Sequence, residues 1–385
     1  MKILYLTEIF LPHISGYTIH VDRIAKHFSK TDKVLVATSS DKFLPKNETV
    51  GNYKIVRLFS LANPFNVNTN LSYLAALKIN KIIQNFKPDI IHVHDPAFIS
   101  FFGSKFAKQS NIPVVYTQHA NSSFPSNFMP DIFKDLMASI YQKFISKFMN
   151  ENCDIIISPS KYIKQDLLNI GVKADIQIIS NGVDFNIFKP TKIENDFVEK
   201  YNLWKNKLPT LLCVTRLDKD KNIDTLFAVV KKIAQQKNIN IIIIGNGEKY
   251  DLFETEFESN EYVKIYSRIQ PNSSDLNLFY NYSDVLLMTS TIEAQSLVTM
   301  EAMACGLPIV AYNGGALPEL VKNNQNGILV YNNTPDDFVN SINKIFLNKD
   351  ILNQYIEESL NLIQIHDINS SYEQIKNVYQ SLLTK

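Results

Sequence analysis

The chain has 385 residues, 45% of them hydrophobic and 20% charged, with a net charge of +1. That length exceeds what one hydrophobic core usually serves, so two domains are expected, and the ordinary composition excludes a disordered or fibrous chain. No apolar run approaches the ~20 residues of a membrane-crossing helix, no basic stripe points to nucleic acid, and Cys153, Cys213 and Cys305 lack disulfide or zinc spacing, which fits a reducing cytosol.

The opening "MKILYLTEIF" reads as a first β-strand and not as a signal peptide, because Glu8 closes the apolar run early. The loop that follows, Thr7–Val21, ends in Ser15-Gly16 ahead of a helical pattern. Gly16 there admits a ligand to the backbone, and a helix N-terminus offers N–H groups to an anion. A plain helix-entry turn reads equally well, and His20 reads as surface or core packing. "KVLVAT", "DIIHVH", "PVVYTQ" and "DIIISPS" are further strands, with helical patterns such as "LSYLAALKINKIIQNF" between them. Within Asn121–Asn150 an apolar loop precedes a helix whose Phe133, Leu136, Met137, Ile140, Phe144 and Phe148 fall near one face. Core packing is the plain reading of that helix, whereas the loop with Phe124, Phe128 and Met129 suits a lipid or acceptor lid.

A domain boundary fits near Ser180–Pro190, where a strand ends in Asn-Gly and a polar stretch follows. Beyond it come "TLLCVT", "NIIIIG", "DVLLMTS", "LPIVAY" and "GILV", with the helix "IDTLFAVVKKIAQQ" among them. Continuously apolar strands alternating with helices imply parallel sheets covered on both faces. The expected fold is α/β, with two Rossmann-like doubly wound domains facing a central cleft. Ligands of such sheets bind at the carboxyl ends of the strands.

Three loops of the second half hold candidate chemistry. In "TRLDKDKN" (Thr215–Asn222), Arg216 and Lys221 stand ahead of a helix and suit a diphosphate. Asp218 and Asp220 leave a solvated charged turn as the alternative. "IIIIGNGE" (Ile241–Glu248) lacks a full dinucleotide fingerprint and reads as a tight turn passing close to a ligand. In "STIEAQSLVTMEAMACGLPIVAYNGG" a helix is predicted over about 296–305, ended by Gly306 and Pro308. Glu293 precedes that helix, where its dipole favours a carboxylate. Glu301 lies inside a small, apolar helix, where an unpaired carboxylate is costly and a pair of ligand hydroxyls would satisfy it.

These motifs together resemble glycosyltransferase family 4, in the retaining GT-B superfamily. The similarity is strongest over Ser290–Gly327, "STIEAQSLVTMEAMACGLPIVAYNGGALPELVKNNQNG", and is supported in order by "DIIHVHDP", "YTQHA", "SNGVD", "TRLDKDKN" and "IIGNGE". The resemblance implies an acceptor-side domain over 1–184, a nucleotide-sugar domain over 185–369, and a C-terminal helix of about 370–385 packing back on the first. It implies that Glu301 binds the ribose diol and Glu293 the hexose hydroxyls. N–H groups of Ser296, Leu297 and Val298 would support sugar and diphosphate. Arg216 and Lys221 would neutralise the leaving diphosphate, with Gly16 beside it. His119 would face the sugar, and Ser267, Arg268 and Ile269 would contact the base. Departures from the usual pattern are Gln295-Ser296 after the first Glu, Ser15, Asn222 and Ser267.

The implied reaction is hexose transfer from a nucleoside-diphosphate sugar to an acceptor hydroxyl with retention, needing no cofactor and no metal because Arg216 and Lys221 take the cation's role. The Glu-x-Gln arrangement resembles members that glycosylate lipids. Residues 1–190 carry 21 Lys+Arg against 14 Asp+Glu, and residues 191–385 carry 18 against 24, a split of +7 and −6. A basic half suits peripheral docking on the anionic cytoplasmic face of a membrane, with Lys105, Lys108, Lys134, Lys143 and Lys147 as contacts. A soluble or polysaccharide acceptor, a sugar-nucleotide epimerase and a non-catalytic nucleotide-sugar-binding protein remain the alternatives.

Overall fold

The computed structural model describes residues 1–63, 66–123, 131–267 and 269–384, with side chains at 66–68 and 131–134 left aside. The chain forms two compact units, one of Met1–Ser180 with Ser371–Lys385 and one of Asn181–Ser370.

In the first unit the order is β1 (Lys2–Leu6), α1 (Gly16–Phe28), β2 (Lys33–Ser39), β3 (Lys46–Val50), β4 (Tyr53–Leu58), β5 (Leu61–Asn63), β6 (Asn66–Leu71), α2 (Ala76–Phe86), β7 (Ile90–Val93), α3 (Phe98–Gln109), β8 (Val114–Thr117), α4 (Asp131–Asn152), β9 (Ile155–Ser158), α5 (Lys161–Asn169) and β10 (Asp175–Ile178). Its main sheet runs β10-β9-β8-β7-β1-β2-β4-β3. All pairings are parallel except β3 with β4, and the polar edge strand β3 is mostly exposed. β5 and β6 form a separate antiparallel pair. The central strands β1, β7, β8 and β9 are buried almost throughout, as their unbroken apolar runs require. Each buried Ile or Leu contributes ~2 kcal/mol relative to exposure.

In the second unit come α6 (Asn195–Lys200), β11 (Thr210–Val214), a short 3-10 turn (Lys219–Lys221), α7 (Ile223–Gln236), β12 (Asn240–Ile244), α8 (Tyr250–Phe257), β13 (Val263–Tyr266), α9 (Ser274–Tyr282), β14 (Val285–Met288), α10 (Leu297–Ala304), β15 (Ile309–Tyr312), α11 (Leu317–Leu320), β16 (Gly327–Val330), α12 (Pro335–Phe346), α13 (Lys349–Leu362) and a further 3-10 segment (Ile363–His366). The sheet is wholly parallel, in the order β13-β12-β11-β14-β15-β16. This is the doubly wound order whose strand sequence reverses between β11 and β14, and ligands bind outside the carboxyl ends at that reversal. α10 is capped by Ser296, whose Oγ accepts from Thr299 N. It stops at Gly306, whose φ of +87° favours glycine.

The last helix, α14 (Ile368–Leu383), begins in the second unit and continues into the first. Within the first unit, Tyr379 is fully buried and its hydroxyl lies 2.6 Å from His92 Nδ1. Tyr372 stacks on His27 with ring centroids 3.8 Å apart.

α4 departs from the core-packing expectation. Leu136, Ile140 and Phe144 are 60%, 52% and 41% exposed, and burial falls on Ile145, Phe148 and Met149. The reason is geometric. Each four-residue step along a helix drifts about 40°, so a row facing the core at Phe148 has turned away by Leu136. Another difference is at α2, where the periodic stretch "LSYLA" is β-strand and turn, not helix. Phe124, Phe128, Met129 and Arg268 lie outside the described residues, as do the side chains of Phe133 and Lys134.

Candidate functional site

In the second unit, the loop after β11 carries both predicted cations. Arg216 is half-exposed and forks onto two carboxylates of its own loop, Asp218 through Nη1 and Asp220 through Nη2 at 2.7 Å. Lys221 turns to the neighbouring strand end, where its Nζ lies 2.8 Å from Glu293 Oε1. That ion pair is 20% exposed on the lysine side and 13% on the glutamate side. Asn222, with φ +56°, closes the 3-10 turn and donates from Nδ2 to Thr289 O at 3.0 Å, tying the β11 loop to the end of β14.

The glycines around these loops serve backbone contact. A Cβ on Gly245 would collide with the Thr215 carbonyl, and one on Gly247 with Leu217 and Asp218. "GNG" therefore packs tightly against the Arg216 loop. Gly315 has φ +56°, and a Cβ there would strike the backbone of Glu293. Ala316 N donates to Glu293 O at 2.8 Å. Gly314-Gly315 thus holds the loop carrying Glu293.

Glu301 is 6% exposed on α10 and accepts from the Tyr280 hydroxyl at 3.1 Å. Its carboxylate, after burial itself, helps push the Cys305 thiol up. At the start of α10 the first intrahelical bond runs from Met300 N to Ser296 O at 3.1 Å, which leaves the N–H groups of Leu297 and Val298 ahead of it. Gln295 Oε1 accepts from Asn181 N at 2.7 Å. Ser267 is exposed just beyond β13, and Ile269 packs partly against the core.

The first unit has its own strand-end cluster at β1, β7 and β8. Ser15 caps α1 in a reciprocal capping box with Thr18, so Gly16 opens that helix. His119 Nε2 lies 3.0 Å from His94 Nδ1, and its ring sits 4.7 Å from Tyr17 and 5.2 Å from His20. Burial lowers the pKa of His20, His94 and His119, and the neighbouring basic groups reinforce the shift, so all three imidazoles are neutral near neutral pH. Two carboxylates lie beneath. Asp95 accepts from Tyr17 OH at 2.7 Å, Ala97 N at 3.0 Å and Ser100 Oγ at 3.2 Å. Glu8 accepts from Ser39 Oγ at 2.5 Å, Ser72 N and Ile99 N at 3.0 Å. Burial first, and then the Asp95 charge, push Glu8 up to about 7.

Sequence reasoning assigned no role to His94, Glu8, Asp95 or Tyr280. The signal for two of them was present, since "HVHDP" holds His94 and Asp95, but a motif does not say which histidine touches which.

A doubly wound parallel unit with cations and carboxylates at its switch point, following a second Rossmann-like unit in one chain, is the architecture of the GT-B fold. The profile for Glycosyltransferase Family 4 matches residues 14–186, and that for Glycosyl transferases group 1 matches residues 194–361. The chain belongs to the family 4 type of GT-B glycosyltransferases. It is 24% identical to a sulfoquinovosyl transferase of Arabidopsis thaliana over 86% of this chain, spanning 63% of that protein's length. It is 25% identical to an alpha-monoglucosyldiacylglycerol synthase of Acholeplasma laidlawii, over 91% of this chain and 90% of the relative. Among solved structures it is similar to a sucrose-phosphate synthase of Thermosynechococcus elongatus, with TM-score 0.80 and 18% identity, covering 100% of this chain and 99% of the other. It is likewise similar to Anabaena HepE in complex with UDP-glucose, with TM-score 0.77 and 20% identity, covering 99% and 100% of the two chains. No described helix is long and apolar enough to cross a membrane.

Proposed function

We propose that this chain is a retaining hexosyltransferase that moves a hexose from a nucleoside-diphosphate sugar to a hydroxyl of a lipid acceptor, working peripherally on the cytoplasmic face of an anionic membrane. The observation that carries the reading is the Lys221–Glu293 pair at 2.8 Å, set at the switch point between β11 and β14. An ammonium matches a diphosphate oxygen and a carboxylate matches sugar hydroxyls. Each group therefore holds, in the other, a substitute for what the donor would bring.

In the proposed reaction the bond from C1 of the hexose to the diphosphate oxygen breaks. The acceptor oxygen bonds to C1 on the same face, and its proton passes to the departing phosphate oxygen. Arg216, Lys221 and the N–H groups at Ser296–Val298 stabilise the charge that grows on the diphosphate, and Gly16 admits it. These cations make a metal unnecessary. Glu301 takes the ribose diol, Glu293 and His119 the hexose, and the backbone at Ser267, Arg268 and Ile269 the base. A lipid acceptor is supported by the name of the 25% identical relative, an alpha-monoglucosyldiacylglycerol synthase, and by the exposed apolar row on α4.

The test uses the full chain with UDP-, GDP- and ADP-hexoses and vesicles containing diacylglycerol, or with soluble sugars. Nucleoside diphosphate release that requires the lipid, with an α-linked product from an α-linked donor, is the expected outcome. Release with soluble sugars alone would reassign the acceptor, and no release with any donor would overturn the transferase reading.

A further inference from the structure

We infer that His94 is a positioning residue that fixes His119 as the Nδ1–H tautomer, so that the remaining ring nitrogen of His119 acts as a hydrogen-bond donor to substrate. The functional half of this inference rests on the sugar-contacting role proposed for His119; the tautomer itself does not.

The observation is the 3.0 Å contact between His94 Nδ1 and His119 Nε2, together with the surroundings of His94. Only one of the two nitrogens can hold the shared hydrogen. If His119 were the donor, neutral His94 would carry its own hydrogen on Nε2. That nitrogen is buried with no hydrogen-bond partner among the described residues, and a buried unpaired N–H is among the rarest features of folded chains. If His94 Nδ1–H donates instead, Nε2 is left as a bare lone pair, and His119 Nε2 accepts. The hydrogen of neutral His119 must then sit on Nδ1. An imidazolium at either ring is opposed by burial and by the neighbouring histidines.

His94 is well placed to orient a partner. Its backbone N–H bonds to Leu6 O at 3.0 Å, which fixes the end of β7 to β1. Its ring packs 4.2 Å from His92 and 5.7 Å from Tyr5. His92 is in turn held on both nitrogens, by Tyr379 OH at 2.6 Å and Thr117 Oγ1 at 2.7 Å. Tyr17 and His20 flank the His119 ring, leaving its orientation to the bond with His94. A ring bond that selects the tautomer of a working histidine follows general histidine chemistry.

The experiment is long-range 15N–1H correlation on full-length protein with labelled histidine, with His119 assigned from a His119→Gln variant. The expected wild-type result is hydrogen on Nδ1 of both His94 and His119. His94→Leu should move His119 toward the Nε2–H form that a free histidine side chain favours in water. His94→Asn, whose amide can place an N–H near the position of Nδ1, should retain the Nδ1–H form and also covers the case of a poorly folding leucine variant. With UDP-glucose and diacylglycerol vesicles, His94→Leu should lower kcat by roughly a hundredfold at little change in KM, the scale expected of a misplaced group, and His94→Asn should recover most of it. An Nε2–H His119 in the wild type, or an unchanged tautomer in His94→Leu, would overturn the inference. A changed tautomer with unchanged kcat would overturn the positioning role alone, whereas a wild type inactive with every donor would strike the transferase reading and not the tautomer.

Discussion

Lys221 and Glu293 are 72 residues apart, yet they form one ion pair because the sheet sets β11 beside β14. Under the proposed chemistry, Lys221→Ala should slow turnover about a hundredfold, as commonly follows removal of one transition-state donor. It should also lower the melting temperature, since it takes the ion-pair partner from a Glu293 carboxylate that is only 13% exposed. Steady-state kinetics beside a melting curve checks both, and near-normal kcat would remove Lys221 from the diphosphate. A second residue-scale prediction concerns Glu8. Its folded pKa is raised to about 7 by burial and by Asp95, above the ordinary carboxylate value. The folded state therefore holds a proton that the unfolded chain releases first, and this term weakens the fold as pH rises from the usual carboxylate range through about 7. Glu8→Gln removes the titration. Its melting temperature relative to wild type should therefore climb between pH 5 and pH 8, and a difference flat with pH would contradict the assignment.

Among the elements, the turn after β15 shows how backbone conformation serves the site. Gly315 combines φ +56° with direct approach to the Glu293 backbone. Gly315→Ala should cost about 1–3 kcal/mol through backbone strain and clash. It should also lower activity beyond the stability loss, because the Glu293 loop must move. A variant with wild-type turnover at a temperature where it is fully folded would show that the loop position is unimportant. α4 carries the opposite lesson. Its apolar period was legible, but period alone does not fix phase, and the drift from Phe148 to Leu136 turned an expected core stripe outward.

For the whole molecule, charge divides by unit. The first unit holds 22 Lys+Arg against 14 Asp+Glu and the second 17 against 24. With Leu136, Ile140 and Phe144 exposed and Lys143 and Lys147 beside them, the first unit should bind anionic vesicles more than neutral ones. Binding should fall as salt screens the lysines. Ile140→Ser with Phe144→Ser should weaken it at constant charge. Co-sedimentation decides this, and equal binding to anionic and neutral vesicles at low salt would leave no electrostatic part.

The sequence by itself determined the alternating parallel α/β plan, because unbroken apolar strands between helical periods have few other solutions. It also determined the family, because motifs in a fixed order carry information that no single loop does. Arg216, Lys221, Glu293, Glu301 and His119 were legible as candidates for the same reason. What only the tertiary structure decided was partnership: Lys221 with Glu293, Glu301 with Tyr280, His119 with His94, and Tyr379 of the last helix with His92. Such contacts depend on strand order, helix phase and the course of a returning helix. Local periodicity and spacing do not encode these directly, since each is settled by which distant apolar surfaces bury one another.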